Sequence, residues 1–121
     1  MANPNIVGVT TIYGKVVGQA VTTSNTAIVT NTAASGKILK INSLLISNVD
    51  GTNAADISVD FYDDGTASAF NLANTITVPA DATLVVISKD TAIYLEEGDS
   101  IRVLASADGD LEAVCSYEEI S

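Results

Sequence analysis

The chain has 121 residues, 47% of them hydrophobic but only 5% aromatic and none Trp, so one core of Val, Ile, Leu and Ala is expected. Its formal charge is −10, from five basic and fifteen acidic side chains with no His, and this repels phosphate and disfavours nucleic acid or an anionic membrane as a partner. Without His, imidazole-based triads and His-containing zinc sites are excluded, and a lone cysteine, Cys115, excludes an internal disulfide and a cysteine-rich metal site.

The first five residues, Met1 to Asn5, are polar and are held out of a helix by Pro4, which predicts an N-terminal arm. From Val7 to Val21 the chain reads as an extended or two-part strand. Gly8, Gly14 and Gly18 weaken it while permitting bends or close backbone approach. Val21 to Asn31 adds a short strand. Lys37 to Val49 is longer, and its phase slips near Asn42 and Ser43: Leu39 and Ile41 share one parity, Leu44 and Ile46 the other. A β-bulge there reconciles the two halves.

The clearest alternation is Ile57-Ser58-Val59-Asp60-Phe61, with its apolar members on one face. Ile76 to Val78 and Leu84 to Ile87 flank Pro79-Ala80-Asp81 and predict a hairpin. Ile101, Val103 and Ala105, then Leu111, Ala113 and Cys115, predict two core-facing strands. Parity therefore makes Cys115 a buried structural thiol. Turn signals at Asp50-Gly51, Asp63-Asp64-Gly65, Glu97-Gly98-Asp99 and Asp108-Gly109-Asp110 divide the chain into eight or nine short strands. The expected fold is all-β: a single antiparallel β-sandwich domain over residues 1–121, jelly-roll-like, with residues 1–5 as the arm.

Little in this pattern carries chemistry. No glycine-rich phosphate loop is present, since Gly51, Gly65, Gly98 and Gly109 each stand beside acids. Asp60, Asp63 and Asp64, and separately Asp108, Asp110 and Glu112, gather near turns without the spacing of an EF-hand loop; they read as solvated turn acids with no metal, calcium ligands and a catalytic carboxylate pair being the alternatives. Tyr13, Tyr62, Tyr94 and Tyr117 are scattered, which weakens a carbohydrate-binding reading. The expectation is a chain with no catalytic residue, cofactor or metal.

What remains is the surface. Ala, Thr, Ser and Asn supply 49 of the 121 residues, and small neutral side chains lose little freedom when a partner covers them. Lys15, Lys37 and Lys40 are the only charges before Asp50, whereas Asp90 to Ser121 holds nine acids against Arg102. An interface is therefore expected on the N-terminal third, at Pro4, Asn5, Lys15, Lys37 and Lys40, with the glycine-spaced segment offering an unpaired edge. The same asymmetry is also satisfied within one chain if the two halves interleave. No apolar run is long enough for a membrane span, and the N-terminus lacks a signal-peptide pattern, so the expected setting is the cytoplasm.

Three stretches add a resemblance. Pro4-Asn5-Ile6-Val7-Gly8-Val9-Thr10-Thr11-Ile12-Tyr13-Gly14-Lys15, Tyr94-Leu95-Glu96-Glu97-Gly98-Asp99-Ser100-Ile101-Arg102 and Glu112-Ala113-Val114-Cys115-Ser116-Tyr117-Glu118-Glu119 resemble small virion proteins of tailed phages that infect marine cyanobacteria. The resemblance spans nearly the whole chain but contains no mechanistic motif. It implies a virion component assembled in the host cytoplasm: a capsid decoration or cement protein bound to the major capsid protein, as a homo-oligomer. A neck, tail or fibre component that binds a receptor or glycan is the neighbouring alternative.

Overall fold

The computed structural model describes residues 3–121; Met1 and Ala2, the start of the expected arm, lie outside the described residues. Nine strands follow in order: β1 Ile12–Ala20, β2 Thr26–Thr30, β3 Ile38–Asn48, β4 Ala55–Asp63, β5 Ser68–Val78, β6 Thr83–Ile87, β7 Ile93–Leu95, β8 Ser100–Ala105 and β9 Leu111–Ile120. They form two antiparallel sheets, β1-β9-β3-β6 with β7 also on β3, and β2-β8-β4-β5. β6 pairs with Leu44 to Ser47 and β7 with Leu39 to Ile41, so the two act as one interrupted strand along β3. Counted that way, the eight-strand order is 1-8-3-6 over 2-7-4-5, the double Greek key of a jelly roll.

The phase slip in β3 is a bulge. Ile41 pairs with Tyr117 and Ser43 with Ser116, leaving Asn42 out of the ladder, and Leu39, Ile41, Leu44 and Ile46 all reach the core. Asn42 turns its amide outward and donates to Glu118 Oε2 at 2.9 Å. Strands β8 and β9 follow their predicted parity, with Ile101, Val103, Ala105, Leu111, Ala113 and Cys115 buried. The core they build is aliphatic, and its members recur at alternate positions along β3, β4, β8 and β9.

Two expectations are corrected. The segments around Pro79 are not a hairpin: Val78 pairs with Ala55 in one sheet, and Leu84 pairs with Ile46 in the other. Asn48 fixes this corner, its buried side chain donating to the carbonyls of Asn53 and Val78 at 2.9 Å while its backbone N–H donates to Ala82 O at 2.8 Å. A polar side chain bound to both sides of the turn holds the chain where it crosses between layers. Nor does the N-terminal strand begin at Val7. Ile6–Gly8 is a 3-10 turn capped by Asn5, whose side chain accepts from Val7 N, and pairing starts only at Ile12.

Cys115 is fully buried, and burial alone pushes its thiol up to about 12. The thiolate is the reactive form, so at pH 8 a disulfide reagent should modify the folded protein about a thousandfold more slowly than the urea-unfolded chain. Equal rates would place Cys115 outside the core.

Candidate functional site

The expected interface residues fall in three places. Pro4 is half-buried and Asn5 exposed, both in the segment leading to the 3-10 turn. That segment is fastened to the other terminus just before β1: Thr10 and Thr11 donate backbone N–H groups to Ser121 O at 2.9 Å, and Ser121 N returns a bond to Thr11 O. Lys15 and Lys37 converge on one carboxylate. Lys37 Nζ lies 2.8 Å from Glu119 Oε1 and Lys15 Nζ 3.6 Å from Glu119 Oε2. Lys40 is separate, on the outward face of β3, where its ladder neighbours are Glu118 and Tyr94.

Chain asymmetry in charge is therefore partly satisfied inside one molecule, because β9 lies between β1 and β3 and brings Glu119 between the two lysines. Among the described residues, the cation left facing outward from that sheet is Lys40.

The outward face of the β1-β9-β3-β6 sheet is the broad surface these residues border. Partners across an antiparallel ladder share a face, so the register gives successive rows: Val85, Leu45, Val114 and Gly18, then Ser43, Ser116 and Val16, then Tyr94, Lys40, Glu118 and Gly14. Val16, Val85 and Val114 are 69%, 55% and 42% exposed. A last row, Ile38, Ile120 and Ile12, is buried at its first two members although neither belongs to the sandwich core.

Gly14 and Gly18 lie on this face within β1, with no left-handed backbone to require glycine. A Cβ on Gly14 would meet nothing within 4 Å, and one on Gly18 only Ala113 O at 3.9 Å. Neither is demanded by crowding inside the molecule. Their missing side chains leave room for an approaching surface, and Gly18 floors a shallow depression of about 330 Å³ bounded by Gln19, Ala20, Glu112 and Val114. The sequence marked these glycines for close approach, but their common outward face becomes visible only with the register.

The acidic turns serve the backbone. Asp50 accepts from Thr52 N and Asn53 N, which hold its carboxyl below the ordinary value, and Asp108 accepts from Thr23 N. Asp99 is buried and accepts from Asp64 N and Glu96 N at 3.0 Å; burial nevertheless raises its pKa. Among the described residues no group of three or more carboxylates or Cys converges as metal ligands would, and no helix is long and apolar enough to cross a membrane.

No family model matches the chain, and no curated protein matches it. Among solved structures it is similar to a protein of Bacillus endospore appendages, described as a novel family of disulfide-linked pili, at 16% identity over 98% of this chain and 95% of that one, with a TM-score of 0.54. That is a likeness of fold. A pentameric capsid protein from metagenomic phage sequences is also similar, at 19% identity over 85% of this chain and 60% of that one, but its TM-score of 0.41 is too low to bear on the argument.

The Lys37 ammonium lowers the Glu119 pKa, so the ion pair stabilises the fold above the ordinary value of 4.5 and is lost as pH falls through the lower folded value. Both lysine side chains are more than a third exposed, at 46% and 39%, so solvent screening limits the effect. Glu119→Gln should cost about 0.5–1 kcal/mol at pH 7, and the difference should shrink in urea titrations as pH falls below the ordinary value and disappear once Glu119 is protonated in the folded state.

Proposed function

We propose that this chain is a non-enzymatic structural protein of a phage virion, a capsid decoration or cement protein. It acts by laying the outward face of the β1-β9-β3-β6 sheet against the outer capsid surface. The observation that carries this reading is the pairing of Gly14 and Gly18 on that face with exposed Val16, Val85 and Val114. Glycine inside a strand weakens it by roughly 0.5–1 kcal/mol, a cost the isolated fold gains nothing from, and a partner packed closely against the strand does.

The absence of His from the sequence and the small neutral surface support a binding role over a catalytic one. The resemblance to cyanobacterial phage virion proteins supplies the setting. Sharing a fold with a pilus protein is compatible with an assembly subunit and supplies no partner. Bridging capsid subunits requires only that binding favour the assembled lattice, which then gains stability by mass action. A neck, tail or fibre role uses the same kind of face and is separated by experiment.

Within this reading, Pro4 and Asn5 border the contact and Lys40 supplies a cation to an acidic partner. Lys15 and Lys37 contribute less, since both are already engaged by Glu119.

Gly14→Val and Gly18→Val should raise the stability of the free protein by up to about 1 kcal/mol, because valine suits a strand and its Cβ meets nothing closer than 3.9 Å at either position. The same variants should lower occupancy on undecorated capsids at least about tenfold in affinity. Lys40→Glu and deletion of residues 1–5 should weaken binding less, the former only at low salt. Wild-type occupancy by both glycine variants would remove the face from the interface. Binding of the wild type to purified tails but not capsids would assign it to the tail.

A further inference from the structure

We infer that the opposite side of the sandwich is a second docking site, taking a large apolar side chain of another protein followed by basic residues. Strands β1 and β2 border one side of the two layers, and β5 borders the other beside β6 and β7. On this second side the layers do not close. β7 has only three residues, and an apolar cleft of about 160 Å³ opens between Phe61, Leu72, Ile93 and Tyr94. Phe70, the ladder partner of Phe61, stands beside it 54% exposed, with Tyr94 at 44% and Leu72 at 40%. Both phenylalanines of the chain therefore sit at this opening, away from the centre of an otherwise aliphatic core.

Charge specifies the occupant. The strands that line the cleft run into acids, Phe61 toward Asp63 and Asp64, and Tyr94 toward Glu96 and Glu97. The two turns are bound together, with Asp64 N and Glu96 N both donating to Asp99 at 3.0 Å. Among the described residues, none of Asp63, Asp64, Glu96 and Glu97 has Lys or Arg within 4.0 Å; Glu97 is turned to the Gly36 N–H, which it accepts at 2.7 Å, whereas Asp64 and Glu96 are exposed. An apolar slot on strands that run into carboxylates with no cation beside them favours a side chain of its own size with Lys or Arg close behind.

A second copy of this chain fits poorly. Its net charge is −10 and no two of its five basic residues are adjacent, so it offers no apolar side chain followed by a basic pair; two of its lysines are also held by Glu119, and Arg102 is stacked over Tyr62 at 4.0 Å. The occupant is therefore a segment of a different protein. This goes beyond the proposed capsid contact: the glycines lie at the β1 margin and the cleft at the β5 and β7 margin, with Tyr94 the residue common to the cleft and the outward face.

The test uses the full chain, labelled for NMR, and two six-residue peptides blocked at both ends. Each has a central phenylalanine, followed in one by two lysines and in the other by two glutamates. The lysine peptide should shift the resonances of Phe61, Leu72, Ile93 and Tyr94 and bind at least about tenfold more tightly at low salt. Leu72→Glu should abolish these shifts, with Phe70→Ser as the second variant should the first not fold. The double variant Asp64→Asn, Glu96→Gln should reduce the preference for lysine severalfold with an unchanged melting temperature. Equal affinity of the two peptides, shifts confined to another surface, or no shift at 5 mM peptide would each overturn the inference. So would a concentration-dependent dimer, detected by sedimentation, that Leu72→Glu dissociates, since the occupant would then be a second copy. Capsid occupancy is read on separate variants at Gly14 and Gly18, so either site can fail alone.

Discussion

The position of Asn42 outside the ladder is the constraint on which the larger sheet depends. β3 is paired along its length by β9 on one side and by β6 and β7 on the other, so its side chains set the phase for three neighbours. Without the extra residue, Leu39 and Ile41 would face the core only by turning Leu44 and Ile46 to solvent. The bulge lets all four be buried. It also creates an outward polar position, where Asn42 reaches Glu118. The flat face proposed to meet a partner and the inner face of the core are thus two consequences of one irregularity.

Because the core is aliphatic, much of its closure falls to polar residues at the ends. Asn48 ties the end of β3 to the corner at Pro79, and Asn31 does the same for the end of β2, donating from one buried amide to Lys37 O and Leu95 O at 2.9 Å. Buried amides whose donors are both used specify one arrangement of loops, where small apolar contacts alone would tolerate several. Asp99 adds a carboxylate to the same end, receiving two backbone donors from turns that precede β5 and β8. The mutual bonds of Thr11 and Ser121 fasten the chain beside the start of β3, at this same end, while Asn48 stands at the other.

Periodicity within a strand was legible in the sequence, and relations between strands were not. The slip at Asn42, the parity of Ile101 to Ala105 and of Leu111 to Cys115, and the burial of Cys115 all follow from local alternation. The turn at Pro79 looks like a hairpin because two apolar runs flank a breaker. Whether such runs share a sheet is decided by Asn48, thirty residues upstream of Val78. β7 was overlooked for the opposite reason: Ile93–Leu95 is too short to show a period and is a strand only because β3 receives it. The candidate surface divides in the same way. Lys15, Lys37 and Lys40 are visible as an acid-free run, but the capture of the first two by Glu119 depends on contacts spanning most of the chain.

Gly14 and Gly18 mark a general distinction between residues a fold needs and residues it tolerates. Gly36, Gly98 and Gly109 occupy left-handed backbone, and at Gly98 a Cβ would also press within 2.6 Å of the Asp64 side chain, so the chain's own turns account for them. Gly14 and Gly18 have neither excuse, and they sit two ladder rows apart on one face with Val16 between them. A strand at an edge already presents unpaired backbone groups, and removing two side chains from its outer face makes that edge thinner and more accessible. An isolated monomer would be better served by β-branched residues at both positions. The apolar cleft across the molecule poses the same question in the opposite form, with large side chains exposed where small ones would suffice. Both departures from what the monomer requires lie at sheet margins, on opposite sides of the sandwich, where contacts with other molecules can be added without disturbing the core.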